Sequence, residues 1–317
     1  MVEMEFKEKT FNIKSKYYNH YKTLKRFMSQ IYYFSNNNES FREICVLNNN
    51  KFCLRALTFK SDKYLQKNLF NKQYNPISFQ EGYNLYVSKN RIKRIPMFPF
   101  NKDRIKLTNE YFKNNYKNNI LHYDYYLDLD IDIDNKKEFN LVIKDLLKII
   151  NYLEILKIRF QLVFSGNRGF KVLIFNNTIV TDKNRDFEEE TSYNVIHYLI
   201  DKLRLKTIDK SIYYNTPSKL MKLNYSLVDK NQDIKIVLPL NKHTTKDILL
   251  NILKTKSFDY FSILKNPQLL DNLLQENHNL IYNKNSNLED VNLLKKISNE
   301  YVKNNNIKKR TKEVWEL

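Results

Sequence analysis

One segment constrains the fold of this chain more than any other: an alternation of apolar residues and aspartates. It reads Tyr126-Leu127-Asp128-Leu129-Asp130-Ile131-Asp132-Ile133-Asp134. A β-strand has a side-chain period of two, so the aspartates would project from one face and the apolar residues from the other. The pattern predicts a strand with one buried face and one anionic face, within a β-biased stretch from 121 to 133.

The anionic face of this strand needs a chemical explanation. Its neighbouring carboxylates would lie roughly 7 Å apart. Like charges that close raise each other's pKa and destabilise the strand unless a cation lies among them. Such a face suits hard divalent ions, and two of these can activate a 3′-hydroxyl and stabilise a pyrophosphate leaving group. The alternative is an amphipathic surface strand with a solvated acidic side; we favour the metal interpretation because the chain is otherwise strongly basic.

A second segment places two of the chain's three glycines around a basic pair. It reads Ser165-Gly166-Asn167-Arg168-Gly169-Phe170-Lys171, between predicted strands at 160–164 and 171–175. Glycine allows positive φ and close backbone approach, as an anion-binding turn needs. Ser165 offers a hydroxyl, Arg168 a planar guanidinium suited to phosphate, and Lys171 a point charge. The alternative is a plain hairpin with solvated charges.

A third segment could add a carboxylate and a further cation. Asp209 follows a predicted helix at 192–203, and Lys222 lies in the middle of a short predicted strand at 219–223. In combination with the first segment, Asp209 could supply a third carboxylate from a different strand. The apolar neighbours of Lys222 favour a phosphate contact in a cleft, whereas a surface lysine with a buried stem is the alternative.

Periodicity around these segments predicts an α+β fold. Apolar residues at helical spacing mark a helix over 137–153, whose stripe is Phe139, Val142, Leu146, Ile149 and Leu153. Further strands are predicted at 42–47, 52–59, 83–87 and 234–238, and helices at 17–34 and beyond 245. We therefore predict a catalytic core of mixed β-sheets flanked by helices over residues 1–244 and a helical C-terminal region over 245–317.

Composition narrows the classes of partner and compartment. The formal net charge of +19 indicates a polyanionic partner, although an AT-rich genome would also encode many lysines. Two cysteines exclude a disulfide framework and a cysteine-rich zinc module, and they favour a reducing compartment. The absence of a long apolar run and of a signal peptide favours an intracellular protein, in the cytoplasm or a nucleus, without a membrane segment.

The three segments, in this order, resemble the three motifs of the archaeo-eukaryotic primase superfamily. Asp128 and Asp130 match the hydrophobic-Asp-x-Asp motif, and residues 165–171 match Ser-Gly-x-Arg-Gly-x-His. Asp209 matches the hydrophobic-Asp motif, and 220–226 resembles the downstream Leu-Leu-Lys…Ser segment.

Landmarks upstream of these motifs resemble those of one member of the superfamily, the small catalytic subunit of DNA primase. They are Phe41-Arg42-Glu43-Ile44, Phe52-Cys53-Leu54-Arg55 and a Pro…Gly segment over 76–82. The resemblance covers about residues 17–240, and the C-terminal helices carry no matching motif.

The resemblance implies roles for individual residues. Two divalent ions, Mg²⁺ or Mn²⁺, would be bound by Asp128, Asp130 and Asp209. The incoming nucleoside triphosphate would be held by Ser165, Arg168, Lys171 and Lys222, with Gln80 near its ribose. Glu43 and Arg55 would line the cleft. The implied activity is synthesis of short primers on single-stranded DNA during replication, together with a large partner subunit.

Three departures from the family pattern accompany the resemblance. Lys171 replaces the histidine of the second motif, which keeps a positive charge, and Val228 replaces a second histidine, which does not. Residues 135–159 contain neither cysteine nor histidine, so no structural zinc is expected. Two alternatives stay open: a self-sufficient primase-polymerase, and a nucleic-acid-binding scaffold with weakened catalysis. Intact Asp128, Asp130 and Asp209 argue against the scaffold.

Overall fold

The structure is a computed structural model that describes part of the chain. The described residues are 36–37, 40–47, 53–57, 84–93, 106–107, 110–111, 115–130, 136–165, 169–209, 219–223, 227–230, 233–240 and 288–307. The chain forms two compact units. The first comprises Met1–Asn119 and Leu220–Val237, and the second comprises Ile120–Lys219 and Leu238–Leu317. The sequence-based boundary at residue 244 stays a prediction, because residues 241–287 lie outside the described ranges.

Short strands and three long helices make up the described secondary structure. The strands are β1 Asn36–Asn37, β2 Ser40–Phe41, β3 Ile44–Leu47, β4 Cys53–Leu57, β5 Asn84–Ser88, β6 Arg91–Ile92, β7 Ile120–His122, β8 Tyr125–Leu129, β9 Phe160–Phe164, β10 Phe170–Ile174, β11 Leu220–Lys222, β12 Leu227–Lys230, β13 Asp233–Ile236 and β14 Leu238–Leu240. The helices are α1 Lys136–Ile155, α2 Arg185–Leu203 and α3 Leu288–Asn304. Mixed helices and antiparallel sheets confirm the predicted α+β class.

The first unit is organised around an antiparallel sheet in the order β11-β5-β3-β4. The strands predicted at 42–47 and 52–59 form as β3 and β4, which pair antiparallel with an irregularity in register between Ile44 and Val46. A smaller antiparallel group pairs β1 with β2 and β2 with β6, and β12 pairs with β13. The strands predicted near 42–47, 52–59 and 83–87 are therefore confirmed.

The turn before β3 is anchored by buried polar contacts within the first unit. The Ser88 amide donates to the Glu43 carbonyl at 2.8 Å, and the Glu43 amide donates to Ser88 Oγ at 2.9 Å. The fully buried Arg42 donates from its guanidinium to the carbonyls of Ser88 and Lys89. A buried carbonyl without a hydrogen-bond donor lowers the stability of the fold. By donating to these two carbonyls, Arg42 fixes the segment before β3 against the end of β5.

The second unit contains the sheet that carries the acidic strand, in the antiparallel order β14-β9-β10-β8. Every residue of β9 and β10 is buried, as expected for strands in the centre of a covered sheet. The α1 helix is amphipathic, and its predicted apolar positions Val142, Leu146, Ile149 and Leu153 are all buried. Helices α1 and α2 both pack against β8, so the edge strand β8 has helices behind it.

Helix α3 packs along α2 through a buried ion pair. Lys295 Nζ lies 2.8 Å from Glu188 Oε2, and both side chains are more than nine-tenths buried. Lys295 also donates to Thr178 Oγ1 at 2.7 Å, and the Asn176 side chain donates from Nδ2 to Glu188 Oε2 at 3.1 Å. A buried ion pair is tolerated only when further hydrogen bonds satisfy both charges, as they do here. The network therefore fixes the register of α3 on α2.

Two observations bear on the expected compartment. Cys45 is disulfide-bonded, so the structure gives no support to the prediction of a reducing environment, which stays a prediction. Within the described part of the chain, no helix combines the length and the apolar character needed to cross a bilayer. The helices predicted at 17–34 and over most of the region beyond 245 lie outside the described residues; α3 is the described part of the predicted C-terminal helices.

Candidate active site

Strand β8 separates a buried face from the face that carries the aspartates, as the alternation predicts. Tyr125, Leu127 and Leu129 are fully buried, whereas Asp128 is half-buried and Asp130, directly after the strand, is exposed. Tyr125 shares the first face and is close enough to Glu188 of α2 for that charge to raise its pKa, after the larger effect of burial. The apolar face of β8 is therefore the one covered by helices.

A further carboxylate, that of Asp209, lies beside Asp128. Asp209 belongs to the segment that follows α2, and this segment runs antiparallel to β8. The Asp209 amide donates to the Asp128 carbonyl at 2.9 Å, and the Asp130 amide donates to the Thr207 carbonyl at 2.8 Å. This bridge pairs Leu129 with Ile208, which places Asp209 directly opposite Asp128. Opposite residues of an antiparallel pair project from the same face, with Cα atoms about 5.5 Å apart. Asp128 and Asp209 are thus neighbours on one face.

Asp145 of α1 holds this segment in place. Its Oδ2 accepts hydrogen bonds from the Lys206 amide at 2.6 Å, the Thr207 amide at 3.0 Å and Thr207 Oγ1 at 3.1 Å. Its Oδ1 accepts one from Lys148 at 2.8 Å. The sequence reasoning missed Asp145, although an acidic residue adjoining the apolar stripe of α1 is a signal that could have identified it.

On the other side of β8, strand β10 brings a lysine to the same face. Lys171 is the register partner of Asp128, and its side chain is buried. Opposite residues of an antiparallel pair share a face, so Lys171 lies on the aspartate face, and its predicted role as a phosphate-binding charge stays a prediction. Asp128 consequently has a cation beside it on one neighbouring strand and a carboxylate beside it on the other segment.

The turn before β10 needs a glycine at position 169, and Ser165 makes hydrogen bonds across it. A Cβ on Gly169 would lie 2.8 Å from the Leu129 carbonyl carbon and closer still to its oxygen. Ser165 Oγ accepts a hydrogen bond from the Gly169 amide at 3.1 Å, and the Ser165 amide donates to the Gly169 carbonyl at 2.9 Å. The Ser165 oxygen therefore closes the turn, and its hydroxyl proton is still able to donate to a ligand. Gly166, Asn167 and Arg168 lie outside the described residues.

Replacing Gly169 with Ala is expected to destabilise the chain and to disturb the site together. The added methyl group would collide with the backbone of β8 at its aspartate end, which rotamer changes cannot relieve. Overpacking of this kind costs about 1–3 kcal/mol. Chemical denaturation should show a lower midpoint for this variant than for Gly82→Ala, the control glycine outside this turn. Equal midpoints for the two variants would contradict the close approach.

Tyr126 lies on the aspartate face and is buried, with its hydroxyl donating to Asp128 Oδ2 at 2.7 Å. Burial raises the pKa of the Tyr126 hydroxyl well above its ordinary value, and the negative charges of Asp128, Asp209 and Asp130 add to that effect. The phenol therefore stays protonated and acts as a constant hydrogen-bond donor that orients Asp128.

Two lysines approach the ring of Tyr126. Lys171 Nζ lies 5.9 Å and Lys219 Nζ 5.7 Å from the ring centroid, within the range of a cation–π contact. Burial lowers the pKa of Lys219, the carboxylates of Asp128 and Asp209 oppose that shift, and the charge of Lys171 adds to it. The sequence reasoning did not select Lys219, since a lysine at the start of a predicted strand carries no signal by itself.

The carboxylates on this face are the candidate ligands for a hard divalent ion. Within the ranges that the structure describes, no group of three or more His, Cys, Asp or Glu side chains is arranged to hold a metal ion. The pair Asp128 and Asp209 nevertheless fits Mg²⁺ or Mn²⁺, which commonly bind one or two carboxylates and keep water or phosphate oxygens as their other ligands. Asp132 and Asp134 lie outside the described residues.

The remaining candidate residues belong to the first unit. Lys222 is in β11 opposite Tyr86, with its Nζ 5.8 Å from the centroid of that ring. Glu43 is fully buried, and its charge helps to raise the pKa of Tyr111 to about 12, after the larger effect of burial. Arg55 lies in β4, but its side chain is outside the described residues, as is the whole of Gln80.

Comparison with solved structures found similar chains among polymerases and primases. The polymerase domain of Mycobacterium tuberculosis ligase D, in complex with DNA, is 11% identical with a TM-score of 0.43, over 76% of this chain and 89% of that one. The AEP domain of the cyanophage S-2L primase-polymerase is 9% identical with a TM-score of 0.34, over 63% and 80%. The primase RepB′ is 9% identical with a TM-score of 0.38, over 78% and 68%.

No protein-family model matches the sequence, and no curated protein matches it either. The identities to the three solved structures are 11% or lower and their TM-scores are below 0.5. What the chain does therefore has to be inferred from its own geometry.

Proposed function

We propose that this chain is a template-directed nucleotidyltransferase of the primase type that joins nucleoside triphosphates on single-stranded DNA. One observation carries the proposal: Asp128 lies between Lys171 on β10 and Asp209 on the adjoining segment, all on one face of the sheet. Carboxylates suit divalent ions, and an adjacent lysine suits a phosphate. Their juxtaposition is what a site for a metal-bound triphosphate needs.

The residues of this face have separate tasks in the proposed reaction. Lys171 binds a phosphate oxygen of the incoming nucleotide, and the Ser165 hydroxyl donates to the same group. Tyr126 orients the Asp128 carboxylate through its hydroxyl. The primase resemblance implies further roles for Arg168, Lys222 and Gln80 in nucleotide binding and for Glu43 and Arg55 as cleft residues, and these roles stay predictions.

Asp128 and Asp209, with Asp130 beside them, would hold the divalent ions. When bound, Mg²⁺ or Mn²⁺ lowers the pKa of the attacking 3′-hydroxyl and stabilises the charge on the pyrophosphate. The residues contribute position: the backbone hydrogen bonds between Asp209 and Asp128 keep both carboxylates in place before a nucleotide arrives, so little reorganisation accompanies the reaction.

Among primase-type enzymes, we propose that the chain is the catalytic subunit of a DNA primase, which works with a large subunit during replication. This assignment is supported by the order of the motifs and by the landmarks at 41–44, 52–55 and 76–82. The alternative is a self-sufficient primase-polymerase, which would both start primers from mononucleotides and extend them without another protein. In either case the net charge of +19 would attract the DNA template through its phosphates.

A primer-synthesis assay tests the proposal. The purified full-length chain is incubated with single-stranded DNA, labelled nucleoside triphosphates and either Mg²⁺ or Mn²⁺. Ion-dependent, template-dependent products are expected. Products that start from mononucleotides in the absence of a second protein would favour the primase-polymerase; extension of a supplied primer alone would favour the two-subunit primase. DNA binding without any incorporation would favour the scaffold and would contradict the proposed activity.

A further inference from the structure

Lys219 is a half-buried cation in the second unit that no motif of the proposed activity includes. Its Nζ lies 5.7 Å from the Tyr126 ring centroid, and Tyr126 donates its hydroxyl proton to Asp128. Lys219 is near enough to Asp128 and Asp209 for both carboxylates to act on its charge. It therefore lies within the electric field of the two aspartates that stand opposite each other.

The two lysines at Tyr126 differ in what holds them. Lys171 is placed by the backbone register of β10 against β8, so its starting point is fixed by a ladder of hydrogen bonds. Lys219 precedes β11 and reaches the same ring from a separate segment. Two ammonium groups on one ring repel each other, and the neighbouring carboxylates offset that repulsion.

Opposed carboxylates destabilise a folded chain unless positive charge is near them. A lysine that supplies this charge stabilises the metal-free state and at the same time opposes the binding of a divalent cation. We propose that Lys219 is the internal countercation of the Asp128–Asp209 pair and that it sets the affinity of this pair for divalent ions. The inference rests on the proposed function, in which the same pair holds Mg²⁺ or Mn²⁺.

The alternative role for Lys219 is a direct phosphate contact with the incoming nucleotide. The two roles predict different effects on the binding of the divalent ion when no nucleotide is present. As a countercation, Lys219 competes with the divalent ion, so its removal tightens ion binding when no nucleotide is present. As a phosphate ligand, it has its main effect when the nucleotide is present, so its removal changes binding of the ion alone little and weakens nucleotide binding instead.

Titration of the full-length chain with Mn²⁺, followed by the electron paramagnetic resonance signal of the free ion, distinguishes these roles. Lys219→Met removes the charge and keeps most of the side-chain length. We expect its Kd for Mn²⁺ to fall by on the order of tenfold relative to the unsubstituted chain. Lys219→Arg, which keeps the charge, should bind Mn²⁺ as the unsubstituted chain does. Lys183→Met is the matched control, because Lys183 is exposed and follows the end of β10 by nine residues in the sequence.

Each result has a defined meaning. An unchanged or larger Kd for Lys219→Met overturns the countercation role. If Lys219→Met does not fold, the same titration is made with Lys219→Gln, and the same outcomes apply. The chain with Asp128→Asn and Asp209→Asn separates the two levels of inference: if it binds Mn²⁺ as tightly as the unsubstituted chain, the metal site of the proposed function fails. If this double variant loses Mn²⁺ binding but Lys219→Met binds Mn²⁺ as the unsubstituted chain does, only the proposed role of Lys219 is overturned.

Discussion

Replacing Asp128 and Asp209 together with Asn is expected to abolish nucleotide incorporation while the chain stays folded. The two carboxylates are directly opposite each other, so the double substitution removes the charge that the proposed divalent ion would bind. Metal ions of this kind supply several kcal/mol of stabilisation to the transition state, so the loss should be at least about a thousandfold in turnover.

The fold should survive this substitution for two reasons. Asparagine retains a side-chain oxygen that can accept the hydrogen bond from the Tyr126 hydroxyl. The backbone bond from Asp209 to Asp128 does not involve the side chains. Removal of the two carboxylates relieves their mutual repulsion but leaves the repulsion between Lys171 and Lys219 without compensation, so the two effects oppose each other and the unfolding temperature should change little.

The matched control for this experiment is Asp182→Asn. The Asp182 side chain is 98% exposed and forms an ion pair with Arg185 at the start of α2. Its loss should leave incorporation at the unsubstituted rate. Full activity in the double variant at Asp128 and Asp209 would exclude them from the catalytic site.

The second large effect is expected at Asp145, which touches no proposed ligand. Asp145→Ala removes the acceptor of the Lys206 and Thr207 amides and of the Thr207 hydroxyl. Buried donors left without an acceptor cost about 1–3 kcal/mol each, so the free energy of unfolding should fall by about 3 kcal/mol. Thr207 is two residues before Asp209, so incorporation should also fall, by about tenfold or more as the carboxylate loses its position.

A graded series separates position from stability at this residue. Asp145→Asn keeps one oxygen acceptor and should lose less of both properties than Asp145→Ala. Mn²⁺ titration provides the readout that a purely structural role would not change: below its unfolding temperature, Asp145→Ala should bind Mn²⁺ more weakly. A variant that is less stable but binds Mn²⁺ and turns over normally would show that Asp145 stabilises the fold without positioning Asp209.

A lysine at position 171 fits the geometry of this face. Lys171 is buried beside Asp128 and over the Tyr126 ring. A carboxylate and the face of an aromatic ring both attract a cation, so the Lys171 side chain has favourable neighbours on this face.

Local periodicity was enough to determine parts of the site from the sequence. The alternation over 126–130 predicted which residues share the face of Asp128, because a strand places every second side chain on one side. The apolar stripe of α1 predicted its buried face from the 3.6-residue repeat. Lys171 was predicted from the sequence only as a charge at the start of the strand after the Gly-containing turn, and its position opposite Asp128 came from the strand register.

Tertiary structure alone decided which distant segments meet at that face. Asp209 is opposite Asp128 because a bridge joins two segments about eighty residues apart in sequence, and no local pattern specifies such a pairing. Gly169 is needed because the backbone of Leu129 passes against it, and Asp145 matters because of the amides that it accepts. Lys219 belongs to the site because its ammonium group lies near the ring of Tyr126, which is part of β8. Side-chain periods act over a few residues, whereas these contacts depend on how separate elements pack.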